Sequence, residues 1–223
     1  MRVGTWNLEG RWSPAHAWFM EQCACDIWLL SIVHDVVELG SGEMVRSEEM
    51  GEETSWAAVW SASGLDPHES VHPAVAIGRI GELLACSCVL PWRGAAPFSD
   101  DAGDNVVSIT KAALDGIREA LTAGAGDAIW GGGFNHALHG AEHTGTLKGR
   151  KGINVLVGEL ALQTPTAQLP HSIAGNFATD HIAVPESWDV GGASRMAAKL
   201  GGQRLTENDA YVVDCEPAVA ATP

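Results

Sequence analysis

Between Asp26 and His34 the chain reads IWLLSIV, a run with no charge and a single hydroxyl. A half-buried strand alternates apolar and polar side chains. This run does not, so it reads as a strand covered on both faces and calls for packed layers on either side. The flanking segments supply them. Residues 2–8 form a strand, and SPAHAWFMEQC after it has Ser13 as a cap, Pro14 at the first helical position and apolar residues at helical spacing. Strand-like runs follow at 56–61, 74–80 and 82–90, the last two joined by a tight turn at Gly81. Helical spacing returns at 106–121 and 148–160, with a short strand at 127–131 between them. Further strands are expected at 180–184, 194–200 and 210–214. The acidic stretch 38–54 reads as a variable edge, 91–104 as a loop rich in Pro, Gly and Asp, and 216–223 as a disordered tail. The order of strands, hairpins and two long helices predicts an α/β sandwich of two mixed sheets with helices outside, one domain over residues 1–215.

Thirteen basic residues against 28 acidic ones leave a formal net charge of −15, a field that repels polyanions. Nucleic-acid binding rests on neutralising phosphates with Lys and Arg, so no nucleic-acid partner is expected. No run approaches a membrane-spanning length of apolar residues, and the first residues enter a strand instead of a charged and then apolar leader. No membrane partner is expected, and a cytoplasmic protein is the default reading. The cysteines, among them Cys23, Cys25, Cys86 and Cys88, are odd in number and irregular in spacing, and read as small buried hydrophobes. GGG at 131–133 leads to Phe134 and Asn135, not to the Gly-Lys-Ser/Thr of a phosphate loop. His139 and His143 are separated by Gly140 and lack a His-Glu-x-x-His pattern, so they read as loop residues. Lys148, Arg150 and Lys151 form the only basic cluster, on a helix start that reads as solvated.

TWNLEG at the first strand's end, DIWLL in the second strand, GGGFNHAL and DHIAVP occur in an order and spacing that resemble the endonuclease/exonuclease/phosphatase family, which includes the DNase I-like nucleases. The resemblance spans residues 1 to about 214. It implies a four-layer α/β sandwich of two mixed β-sheets flanked by helices, with a metal-dependent phosphodiesterase site at one rim. The family's first strand ends in an Asn, matched by Asn7. Its second ends in a Gln-Glu pair whose Glu holds the divalent cation; here the pair is Ser31 and Ile32. A later strand carries a His that contacts the scissile phosphate, and Val89 stands there. In the family's Gly-Asp-Phe-Asn motif, Gly133 replaces the Asp while Asn135 remains. A following Asp is matched by Asp180, and the closing Ser-Asp-His aligns with Thr206, Glu207 and Asn208.

The resemblance therefore implies a rim from which the ligands and the base are missing. Mg²⁺ needs hard oxygen ligands, which Ile32 and Gly133 cannot supply, and the Asn208 amide cannot take a proton as an imidazole does. No metal and no cofactor are expected. Asn7, Glu9, Asn135, Asp180 and Glu207 should meet at the rim, where carboxylates in a low-dielectric pocket raise one another's pKa. Asp180 and Glu207 are the expected acid/base groups, Asn7 and Asn135 the hydrogen-bonding ones, and His34, two residues beyond Ile32, should share its face. Trp6, Trp12 and Trp92, with Ile32, Val89 and Gly133, should shape the pocket, and His136, His181 and Asn208 stand next to it in sequence. The expected partner is a small organic molecule, and the expected activity a metal-independent cyclisation, isomerisation or elimination. A non-catalytic binding protein and a residual Mg²⁺-dependent phosphoesterase are the alternatives.

Overall fold

The structure, a computed structural model, describes residues 1–93, 105–124 and 126–218. Most of the loop expected at 91–104 lies outside the described residues. In chain order the elements are β1 (Arg2–Asn7), α1 (Pro14–Cys23), β2 (Ile27–His34), β3 (Glu43–Arg46), β4 (Glu49–Gly51), β5 (Thr54–Ser61), β6 (Asp66–Pro67), β7 (Val75–Ile80), β8 (Leu83–Val89), α2 (Val106–Ala123) and β9 (Ala128–Gly133). After these come α3 (Leu147–Glu159), β10 (Leu162–Gln163), β11 (Asp180–Pro185), β12 (Trp188–Met196), β13 (Lys199–Leu200), β14 (Gln203–Arg204) and β15 (Ala210–Pro217).

One sheet runs β12-β15-β1-β2-β5-β3, with β4 also on β5; the other runs β10-β11-β9-β8-β7-β6. Each has a single parallel pair at its centre, β1 with β2 and β8 with β9, and antiparallel strands outside it. Strand alternation sorts the side chains into three apolar layers. Ile27 and Leu29 of β2 meet Ile129 of β9 and Ile182 of β11 between the sheets. Trp28 and Leu30, of opposite parity, pack under Phe19 and Met20 of α1. Cys86 and Cys88 of β8 and Trp130 of β9 pack under Ile117 and Leu121 of α2 and Ile153 of α3. The four layers are thus α1, sheet, sheet, and the α2–α3 pair, and the IWLLSIV strand is covered on both faces, as its sequence requires.

Capping fixes the helix starts. Asn105 caps α2 in a reciprocal box with Ser108, and the Thr146 hydroxyl accepts from Gly149 N at the start of α3. Pro14 opens α1, although Ser13 uses its hydroxyl on His16 Nδ1 at 2.7 Å and makes no side-chain cap. All five cysteines are buried free thiols. Among the described residues no helix is long and apolar enough to cross a membrane.

Two boundaries differ from expectation. The strand expected at 194–200 runs instead from Trp188 to Met196, with a bulge between Val190 and Gly192 of this edge strand, while Lys199 and Leu200 form the separate strand β13 on β14. The expected tail begins too early: Glu216 and Pro217 belong to β15 and pair with Asp189 and Trp188, while 219–223 lie outside the described residues.

The glycines at the end of β9 have distinct uses. A Cβ at Gly131 would lie 2.5 Å from His181 O and 2.6 Å from Leu29 Cδ1, and one at Gly132, where φ is +107°, 2.4 Å from Cys88 O. Bare backbone at these two positions lets the strand and the facing sheet approach. Gly133 is looser: its Cβ would stand 3.3 Å from Ser31 Oγ and 3.6 Å from Asp180 Oδ1.

Candidate active site

The ends of β1, β2, β8 and β9 and the start of β11 converge on one edge of the sandwich. Asn7 pairs with Ser31, Val89 with Gly133, and Gly133 with Asp180. At this edge the backbone turns through the left-handed region three times, at Glu9 (φ 54°), Ile32 (φ 52°) and Asn135 (φ 53°). Asn adopts that conformation readily, but Ile32 is branched at Cβ, and holding it there costs about 1–3 kcal/mol. The turns frame a cleft of about 370 Å³ whose walls include Asn7, Ile32, Trp92, Asn135 and His171.

Asp180 follows Thr179 of the cleft wall but does not itself line the cleft. Its parity matches Ile182 and Val184, so its side chain enters the space between the sheets, where it is 3 % exposed. Oδ1 is buried without a hydrogen-bond partner, and so is Ser31 Oγ beside it. Loss of hydration raises the Asp180 carboxyl to about 7; a hydrogen bond from Thr179 opposes the rise and the Glu9 charge adds to it. Burial thus moves the Asp180 carboxyl from the ordinary carboxylate range towards neutral pH.

The other two carboxylates behave differently from expectation. Glu9 Oε1 accepts from Glu207 N at 2.7 Å, Asn208 Nδ2 at 2.9 Å and Asn208 N at 3.2 Å, and Oε2 lies 3.5 Å from Arg11. Glu9 thus clamps the 206–208 turn to the end of β1. Glu207 is exposed on the cleft wall, and among the charges acting on Asp180 that of Glu9 is the one resolved. Asn7 Oδ1 accepts from Glu9 N at 3.0 Å, while Asn135 Nδ2 donates to Leu90 O at 2.7 Å.

Alternation also separates the predicted residues into two groups. Trp6 has the parity of Gly4, not of Asn7, and points under α1: it is fully buried, stacks on His16 and donates Nε1 to Thr206 Oγ1 at 2.9 Å. It supports the 206–208 turn from below and offers no face to the cleft. Trp12 is half-buried against the same His16. Trp92 lines the cleft as expected. Val89, buried at the end of β8, lies beside Gly133. His34 and Ile32 share a neighbouring shallow depression with Met50 and Thr54, so Ile32 forms the ridge between it and the main cleft.

His136 and His181 are buried on the helix side of the second sheet. His181 Nε2 bonds His136 O at 3.0 Å and Nδ1 lies 3.2 Å from Thr166 Oγ1; burial lowers its pKa to about 4. His136 Nδ1 bonds Phe134 O at 2.7 Å, and its ring fills the space above Gly145 and Gly149. Neither reaches the cleft. The imidazole that does reach it is His171, from the loop between β10 and β11, which sequence spacing does not single out. The position of the family's base is Asn208, and the imidazole at this edge comes from a different segment.

The donor set does not fit the divalent cation implied by the resemblance. Ile32 and Gly133 have no ligand atom, Glu9 Oε1 is engaged by three N–H groups, and Asn7 Oδ1 by one. Among the described residues no three His, Cys, Asp or Glu side chains cluster as a metal site.

No family model matches the sequence, and no curated protein shows significant sequence similarity to it. Solved structures do resemble it. The endonuclease domain of TRAS1, a telomere-specific non-LTR retrotransposon, superposes with a TM-score of 0.66 at 15% identity, covering 99% of both chains. The 3'-5' exonuclease NExo from Neisseria meningitidis gives 0.69 at 14% identity over 96% of this chain and 99% of its own. An endonuclease/exonuclease/phosphatase from Beutenbergia cavernae gives 0.64 at 13% identity, over 97% and 71%. Four layers, a central parallel pair in each sheet and a cleft at their shared edge give this chain the DNase I-like fold of the endonuclease/exonuclease/phosphatase structures.

Proposed function

We propose that the cleft binds a small organic molecule and transforms it without a divalent metal, with Asp180 as the acid/base group. The observation that carries this reading is a buried carboxyl with an unpartnered oxygen, raised to about 7, next to Thr179 in the wall of a cleft otherwise lined by amides, hydroxyls, apolar side chains, His171 and the Glu207 carboxylate. A group titrating near the working pH both accepts and returns a proton efficiently. An isomerisation fits: the Asp180 carboxylate takes a proton from one substrate atom and the resulting acid returns it to another, leaving the enzyme unchanged. Cyclisation and elimination need the same proton movements, and none of the three needs an activated water. The similar solved structures include an endonuclease and an exonuclease. A net charge of −15 and the absence of Lys and Arg from the described cleft walls weigh against a polyanionic substrate here.

A second reading, a binding protein without turnover, is favoured by one observation: Asp180 is only 3 % exposed, so a ligand could rest above it without exchanging a proton. Thermal-shift screening with Mg²⁺, Mn²⁺ and small aromatic or polyene-like metabolites, followed by mass spectrometry of the stabilising compounds, separates the readings. Catalysis predicts a product that Asp180→Asn no longer forms while still binding the compound. Binding alone predicts stabilisation without product in either protein. Mg²⁺-dependent cleavage of a phosphodiester by the purified chain refutes both.

A further inference from the structure

The family pattern places an imidazole where this chain has Asn208, yet His171 enters the same cleft from a different segment. The loop that carries it is held firmly. His171 N donates to Asn176 O at 2.9 Å, Ala178 N to Leu169 O at 2.9 Å, and Pro170 bridges to Phe177; the His171 carbonyl accepts from Arg195 Nη1. The ring is fixed as well. Its Nδ1 accepts from the Ile173 N–H at 3.0 Å, with the Ser172 hydroxyl at 3.3 Å. A backbone N–H can only donate, so Nδ1 carries the lone pair and the proton of the neutral ring sits on Nε2. Nε2 takes no partner among the described residues.

The surroundings disfavour the charged form of the ring. Burial lowers its pKa, and the His143 ring, edge-on at 5.5 Å, acts in the same direction. Asp209 opposes this, but Arg195 at 3.4 Å and Arg204 at 2.9 Å are paired with Asp209 and lower the pKa themselves. His171 thus lines the cleft with its Nδ1 occupied as an acceptor and its Nε2–H left to donate. The described walls of the cleft hold no Lys or Arg to receive an anion, their one carboxylate, Glu207, is exposed to solvent, and Trp92 and Ile173 supply apolar surface. Asn135, whose Nδ2 donates to Leu90 O, has an Oδ1 left to accept.

We propose that His171 presents its Nε2–H to the ligand as a fixed neutral hydrogen-bond donor, and that the ligands of this cleft are small uncharged molecules carrying a carbonyl or amide oxygen. The inference rests on the reading that the cleft holds a small organic molecule, and it adds both the recognising group and the ligand class. A neutral imidazole donating to a carbonyl also polarises it, which makes the neighbouring carbon a better proton donor to Asp180.

The test uses the full chain and two probes of the same ring size, 2-piperidone, a neutral lactam, and piperidine, a cation at neutral pH. Long-range ¹H–¹⁵N spectra of the histidine rings, assigned with His171→Gln, should show His171 as the Nε2–H tautomer near neutral pH. Titration with 2-piperidone should shift its ring resonances saturably, and piperidine should not. His171→Phe should weaken 2-piperidone binding about fivefold or more, and His171→Gln, whose amide N–H can still donate, by less; two-dimensional amide spectra check that both variants fold. A charged or Nδ1–H ring, or preferential binding of piperidine, overturns the proposal. Equal binding of 2-piperidone to wild type and His171→Phe also overturns it, while leaving the cleft as an organic-molecule site. Binding of neither probe sinks both readings.

Discussion

Replacing Asp180 by Asn should stabilise the protein, and the gain should depend on pH in a defined way. The folded-state carboxyl sits near 7 and the ordinary value is 3.8, a gap worth about 4 kcal/mol at ~1.4 kcal/mol per pH unit. The sign follows from proton counting. Between the two values the folded state holds a proton that the unfolded state has released, so stability falls as pH rises through this window and is constant above it. Asn is the same shape and carries no charge to desolvate. The difference between Asp180→Asn and wild type should therefore be near zero at about pH 4, grow through the window, and reach roughly 4 kcal/mol above about pH 7. For a domain of this size that is on the order of 10 °C in melting temperature. Urea denaturation at fixed temperature across the range reads it directly, and groups common to both proteins cancel in the difference. A constant difference, or an Asn variant that is less stable at alkaline pH, means that the carboxylate is ionised and well partnered in the folded state, and the argument fails.

Three other substitutions probe the same edge. Gly133→Asp places a second carboxylate beside Asp180 Oδ1, 3.6 Å from the new Cβ; denaturation should show a loss of about 2–4 kcal/mol above pH 7 that shrinks sharply in acid, where both can be protonated. His181→Gln should flatten the acid side of the stability profile. The folded imidazole sits near 4, below the ordinary 6.5, so its stabilisation is present above 6.5 and lost as pH falls towards 4, by about 3 kcal/mol; an unchanged acid limb would refute this. Ile32→Asn, at φ 52°, should raise the melting temperature by about 2–4 °C, equivalent to roughly 1 kcal/mol of relieved backbone strain. A lower melting temperature would show that the apolar contacts of Ile32 outweigh the strain.

Much of the fold was legible because the interior imposes periodicity. The uncharged β2 run, the two long amphipathic helices and the short β11 strand are all consequences of burial, and burial leaves a pattern in sequence. The cleft was legible where it sits on strand ends, as at Asn7 and Ile32. It was misread where neighbours in sequence were taken as neighbours in space. Trp6 precedes Asn7 and His181 follows Asp180, but adjacent residues on a strand point to opposite faces, and both faces here are covered. His171 left no signal because its position depends on loop hydrogen bonds to Asn176 and Ile173, which follow no period. The bulge between Val190 and Gly192 left no period in the sequence, since only pairing with β15 defines it.

The three glycines that end β9 also bear on which substitutions this strand end accepts. Two of them are locked by carbonyl oxygens of adjacent strands, at 2.5 Å and 2.4 Å from any added carbon, and no mutational step there is open without rebuilding the sheet. At the third an added carbon would stand 3.3 Å from Ser31 Oγ, so a side chain there requires Ser31 to give by a few tenths of an ångström, and a carboxylate there also meets the Asp180 carboxyl, 3.6 Å from that carbon. Negative charge therefore enters this strand end only together with a change at Asp180 or a counter-charge beside it.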